Sequence, residues 1–215
     1  MKNRNNNLSV FVCPPGGAEE EDLFRAEGYM TTKASREADI FVWTGGEDVN
    51  PRLYGELPIK GVYFNPRRDS QEIGYWRDAV RKPNSLKVGI CRGAQLLNVL
   101  NGGKLWQDVD HHALQDGPKV LDILTGKERE VSSTHHQQMR PAPNAQILAT
   151  THLSKNKYAD LIDWHEGGKN NSHLGTDYEV LWYPDTRSLC FQGHPEYSLP
   201  EDTKVYFHEL IRRYI

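Results

Sequence analysis

The stretch from Leu86 to Gly103, Leu86-Lys-Val-Gly-Ile-Cys91-Arg-Gly-Ala-Gln-Leu-Leu-Asn-Val-Leu-Asn-Gly-Gly103, restricts the possible folds of this chain more than any other. Leu86–Ile90 is a short apolar run of the kind that makes a buried strand. Leu96, Leu97 and Leu100 give one apolar face to a helix that starts almost at once. Asn101-Gly102-Gly103 closes that helix with residues that tolerate the left-handed conformation. Cys91 therefore falls on a sharp strand-to-helix turn, with Gly89 and Gly93 two residues to either side. Such a turn needs small neighbours and presents its side chain at the carboxyl end of a sheet. A helix N-terminus beside a thiol favours the thiolate, and the Arg92 N–H is placed to face a developing oxyanion. The competing reading is a buried structural cysteine, the common fate of a free thiol.

The remaining pattern sets that turn in an α/β framework. Apolar runs at Leu8–Val12, Asp39–Trp43 and Gly61–Phe64 read as further buried strands, and Glu19–Glu27 and Asp69–Lys82 as helices between them. Alternation of this kind predicts a parallel sheet with right-handed crossovers. The second half is richer in strands. Lys119–Ile123 and Glu130–Ser133 suggest a hairpin around Thr125-Gly-Lys127, followed by strands at Gln146–Thr151, Glu179–Tyr183 and Ser188–Gln192. A last helix follows Ser198-Leu-Pro-Glu201, which has capping-box spacing, with Phe207, Leu210, Ile211 and Tyr214 on one face. The expectation is one domain over residues 1–215, its sheet covered on both sides.

Bulk properties exclude several classes of function. A formal charge of -3, from 26 basic and 29 acidic residues, gives no electrostatic case for binding nucleic acid or a membrane surface. The apolar run Leu8–Val12 is too short for a signal-peptide core or a membrane span. Three cysteines, at 13, 91 and 190, make no disulfide framework and point to a reducing cytoplasm. The oligomeric state leaves no mark in the sequence.

A general base must approach a nucleophilic thiol, and a third group must hold its imidazole. Phe191-Gln-Gly-His194-Pro-Glu196, just after a predicted strand, offers both: His194 as the base and Glu196, two residues on, as its orienter. A surface histidine beside an unrelated carboxylate is the plain alternative for this tripeptide alone.

Gly89-Ile-Cys91-Arg-Gly-Ala-Gln95 and Gln192-Gly-His194-Pro-Glu196 resemble the two signatures of class I glutamine amidotransferase domains, in the branch of the γ-glutamyl hydrolases and γ-glutamyl-γ-aminobutyrate hydrolase. Three more segments resemble that branch: Thr44-Gly-Gly-Glu-Asp-Val-Asn-Pro51 with Tyr54-Gly-Glu56, Arg68-Asp69, and Ser133-Thr-His135-His136-Gln137. The resemblance implies a flavodoxin-like three-layer α/β/α fold with a mostly parallel central sheet and a thioester mechanism that asks for no cofactor and no metal. It implies Cys91 as nucleophile, His194 as base and acid, and Glu196 as orienter. Gly45, Gly46 and the Arg92 N–H would form the oxyanion hole, and Gln95 and the backbone around His135 would hold the glutamyl amino and carboxylate groups. One departure is Gly193, where relatives carry a bulky aromatic; it predicts a roomier pocket or a looser His194.

Other features have plainer readings. His111-His112 and His135-His136 lack the spacings of a metal centre. Cys13 and Cys190 read as packing residues, as do the five tryptophans. The polar segment 156–175 reads as a loop, with a substrate lid as the alternative. The expected activity is cleavage of a small-molecule γ-glutamyl amide. The alternatives are a glutaminase subunit feeding ammonia to a separate synthetase partner, and a catalytically silent binding module.

Overall fold

The computed structural model describes residues 7–109, 113–114, 117–152 and 176–215. The 156–175 segment, Trp164 and His111-His112 lie outside the described residues.

The first strands and helices alternate as the apolar runs require: β1 (Ser9–Val12), α1 (Ala18–Arg25), β2 (Met30–Thr31), β3 (Ile40–Trp43), α2 (Pro66–Val80), β4 (Leu86–Ile90) and α3 (Arg92–Leu100). Helix α2 begins three residues before its predicted start. Asn65 accepts the N–H groups of Arg67 and Arg68, and Pro66 follows it, a pairing suited to a helix entrance. Next come β5 (Lys104–Trp106), β6 (Ala113–Leu114), β7 (Lys119–Asp122), β8 (Glu128–Glu130), β9 (Ser133–Thr134), β10 (Gln138–Arg140), β11 (Gln146–Thr151), β12 (Asp177–Tyr183), β13 (Ser188–Phe191) and α4 (Glu201–Tyr214).

Among the described residues nine strands form one sheet in the order β2-β1-β3-β4-β13-β12-β11-β7-β8. The five strands from β2 to β13 pair in parallel, and from β13 onward every pairing is antiparallel. Strand alternation divides the core into two layers. Val10, Val12, Ile40, Val42, Val88 and Ile90 face Leu23 and Phe24 of α1 and Phe207, Leu210 and Ile211 of α4. Phe11, Phe41, Trp43 and Cys190 face Trp76 of α2 and Leu96 and Leu97 of α3. This is the three-layer α/β/α sandwich that the sequence predicts.

Three local expectations fail. Gly61–Phe64 forms no strand: Phe64 makes a single bridge to Asp48, and Tyr63 is exposed. The hairpin at 119–130 exists, but its second strand is Glu128–Glu130, pairing Lys119 with Glu130. Helix α4 is entered from Pro200 without a side-chain cap, so Ser198 sits too far upstream to close a capping box. None of the described helices is long and apolar enough to cross a membrane.

Candidate active site

Cys91 follows β4 directly and caps α3 with φ 50° and ψ -111°, a region that non-glycine residues rarely occupy. The flanking glycines are demanded by close approach. A Cβ on Gly89 would lie 2.5 Å from the backbone of Gly93 and Ala94, and one on Gly93 would lie 2.2 Å from the Trp43 carbonyl. Helix α3 can therefore dock on β3 and β4 only without side chains at these two positions.

The parallel pairing of β13 with β4 sets Phe191 opposite Ile90, and the Cys91 N–H donates to the Phe191 carbonyl at 2.9 Å. Residues 192–196 thereby emerge beside the thiol. His194 Nδ1 lies 2.6 Å from Glu196 Oε1. Burial works against a charged His194, but hydrogen bonds and charge from Cys91 and Glu196 outweigh it and push the imidazole up to about 11. Tyr197 stacks flat on the His194 ring, with centroids 4.4 Å apart and planes 6° apart.

Two contacts around the thiol were not anticipated. Ser132 Oγ accepts the His194 N–H at 2.7 Å and donates to its carbonyl at 3.1 Å. Gln192, fully buried at the end of β13, approaches Cys91 Sγ with its amide nitrogen at 3.8 Å and accepts from Gln95 at 3.3 Å. A glutamine at the end of an apolar strand was a readable signal; Ser132, 62 residues away in sequence, was not.

Gly193 does not open the pocket. A Cβ there would lie 3.1 Å from both the Phe191 ring and the Ser132 carbonyl. The space that an aromatic would fill is taken by the Ser132 segment, and that segment also fixes His194 rather than loosening it.

Cys91 borders a cavity of about 260 Å³, shared with Gly46, Glu47, Asp48, Arg92, Gln95 and residues 134–137. Gln95 donates to the Gln137 carbonyl at 2.9 Å. His135 turns its ring inward, with Nδ1 2.9 Å from that carbonyl and Nε2 3.9 Å from Glu179. His136 turns outward between Asp48 (2.8 Å) and Asp108 (3.3 Å), and its hydrogen bond to Asp48 raises it above the ordinary histidine value. The adjacent rings diverge and share no centre. Of the two loop glycines, Gly46 lines the cavity, whereas Gly45 packs against His194: a Cβ on it would sit 2.8 Å from the ring. Cys13 and Cys190 are wholly buried, and burial pushes both thiols up, as suits packing residues.

The Arg92 side chain leaves the cavity for a buried ion network. It pairs with Glu72 and with Asp69 (2.5 Å) and donates to the Glu47 carbonyl at 3.0 Å. Arg68 joins the same Glu72 at 2.8 Å and reaches Glu47 at 2.5 Å.

The fold is that of the class I glutamine amidotransferase-like proteins. The profile of Peptidase C26 matches residues 25–155, and the chain belongs to that family. A provisionally assigned glutamine amidotransferase-like protein of Lactococcus lactis subsp. lactis, YvdE, is 32% identical over 162 residues, covering 74% of this chain and 66% of the relative. The YvdE homologue of subspecies cremoris is 33% identical over 125 residues, 58% of this chain and 63% of its own length. The matches thus span slightly less than two thirds of these relatives. Among solved structures, a provisionally assigned GMP synthase component from Thermoplasma acidophilum superposes with a TM-score of 0.61 at 17% identity, covering 96% of this chain and 94% of its own. At such identity the likeness concerns the fold.

Proposed function

We propose that this chain hydrolyses γ-glutamyl amides through a γ-glutamyl thioester on Cys91. The observation that carries the reading is the Cys91 turn set beside the His194–Glu196 pair by the β4–β13 pairing, with 2.6 Å between the last two. The Cys91 thiolate attacks the γ-carbonyl carbon, and the oxyanion forms against the N–H groups of Gly46 and Arg92. His194, held as imidazolium by Glu196, gives its proton to the departing amine as the C–N bond breaks. Water then attacks the thioester and returns a proton to His194, releasing glutamate and regenerating the thiolate. Gln95 and the backbone around His135 hold the glutamyl amino and carboxylate groups on the cavity side of the sulfur.

A second reading shares the first half-reaction: glutamine as substrate, with ammonia passed to a separate synthetase partner. It is supported by the fold shared with the GMP synthase component. Glutamate release from free glutamine beside a panel of γ-glutamyl amines tests both. Turnover of the γ-glutamyl amines over glutamine supports the stand-alone hydrolase, and turnover of glutamine alone supports the ammonia donor. Silence on every substrate, or full turnover by Cys91→Ser, rejects the thioester reading.

A further inference from the structure

We infer that Arg68 is a positioning residue that sets the oxyanion hole by fixing the peptide plane between Gly45 and Gly46. This rests on the proposed attack at Cys91. The Arg68 guanidinium donates through Nη2 to the Gly45 carbonyl at 2.7 Å and to the Thr44 carbonyl at 3.3 Å. The Gly45–Gly46 peptide is not among the cis bonds, so its carbonyl and its N–H point in opposite directions. A carbonyl fastened to Arg68 turns the Gly46 N–H away from Arg68. Gly46 borders the Cys91 cavity, and that N–H is assigned to the place where the γ-carbonyl oxygen becomes negative. The next peptide but one shows the same logic: the Glu47 carbonyl accepts from Arg92 at 3.0 Å, while the Asp48 N–H leaves on the other side for the Tyr63 carbonyl at 2.9 Å.

Arg68 is itself held rigidly. Its Nε donates to Glu72 Oε1 at 2.8 Å and its Nη1 to Glu47 at 2.5 Å, so each nitrogen of the fork has a partner. Burial pushes the Glu47 carboxyl up, but hydrogen bonds from its own backbone and from Arg68 outweigh that and keep it below the ordinary value. The fully buried Glu72 gives its other oxygen to Arg92, the residue after the nucleophile. The bridge Arg68–Glu72–Arg92 therefore ties the loop donor, Gly46 N–H, to the elbow donor, Arg92 N–H. It also explains the second glycine of the loop. Gly46 has φ +143°, and a Cβ there would fall 2.0 Å from Arg68 Nη1, in the space the guanidinium occupies. Lysine cannot replace this planar fork, because an ammonium offers no fixed set of parallel donors.

The test is Arg68→Ala with a γ-glutamyl amide that the wild-type protein hydrolyses. A lost oxyanion donor lowers kcat by roughly 100-fold or more. The expected result is a fall of that size with KM little changed, Cys91 alkylation by iodoacetamide at the wild-type rate, and partial recovery of kcat on adding free guanidinium. Alkylation forms no oxyanion, so a merely structural defect would slow it together with turnover. Wild-type kcat in the variant, or parallel loss of kcat and alkylation without rescue, overturns the inference. Arg68→Lys, which keeps the charge, guards against a folding failure: it is expected to lose kcat as well, and full activity in it is equally fatal. If the wild-type protein hydrolyses nothing, the proposed function fails separately. The inference is then read from the Gly46 amide by NMR, where an unchanged shift in Arg68→Lys rejects it and a moved one sustains it.

Discussion

Ser132 Oγ grips both backbone polar groups of His194, accepting its N–H at 2.7 Å and donating to its carbonyl at 3.1 Å. One hydroxyl thus fixes the backbone that carries the His194 imidazole. Ser132→Ala leaves a buried N–H without its acceptor, which costs about 1–3 kcal/mol of stability. A small displacement of His194 should lower kcat by between about 10- and 100-fold. Urea unfolding and steady-state kinetics on the same variant check the two effects, and an unchanged kcat would separate Ser132 from the placement of His194.

Cys91 and Glu196 together outweigh the burial that disfavours the His194 charge, and this gives stability a pH signature. His194 is pushed up to about 11 in the folded protein, against about 6.5 in the unfolded chain. A folded value above the unfolded one stabilises fully below about pH 6.5, and the gain is lost as pH rises towards about 11. The stability difference between the wild-type protein and Glu196→Gln should therefore be largest between about pH 5 and 6.5 and shrink steadily in alkali. A difference that grows with pH contradicts the assignment.

His208 has the opposite sign. It packs edge-on against Phe207, with centroids 5.5 Å apart, and against Phe24 at 6.2 Å, and burial pushes it down to about 4. Glu27 opposes that shift, while Arg212 and Lys204 add to it. The neutral ring is favoured in the folded state, so its contribution is complete above about pH 6.5 and is lost as pH falls through about 4. Thermal unfolding of His208→Phe between about pH 6.5 and 4 should show a shallower loss of Tm than the wild-type protein. Parallel curves would refute this.

Gly193 occupies a crowded site. Gly193→Ala brings a Cβ to 3.1 Å from the Phe191 ring and the Ser132 carbonyl, a modest overpacking. Gly193→Phe must displace the Ser132 segment and should cost about 1–3 kcal/mol, with a larger loss of kcat. Equal stability of the phenylalanine variant would show that the segment yields freely.

What was legible followed chain-local physics. Cys91 between Gly89 and Gly93 could be read because the turn and the docking of α3 forbid side chains at both glycines, whatever lies elsewhere. The hairpin at 119–130 announced itself through its Gly126 turn. Gly61–Phe64 misled because a short apolar run between turns does not say whether a neighbour exists to pair with, and only Asp48 is there for Phe64. Ser198 failed as a cap because α4 starts only at Glu201. Ser132, and the carbonyl-holding role of Arg68, depend on contacts formed only when distant segments meet, and no periodicity encodes them.

The backbone at Cys91 turns this position into a trade between durability and chemistry. Its φ of 50° with ψ of -111° is a conformation that costs a non-glycine residue about 1–3 kcal/mol. Cys91→Ala keeps that strain, and Cys91→Gly releases it, so the glycine protein should outlast the alanine one although neither can form a thioester. Drift at this codon thus has a downhill direction towards a sturdier, silent protein, and under the proposed thioester chemistry the strain at Cys91 is the cost of placing the nucleophile.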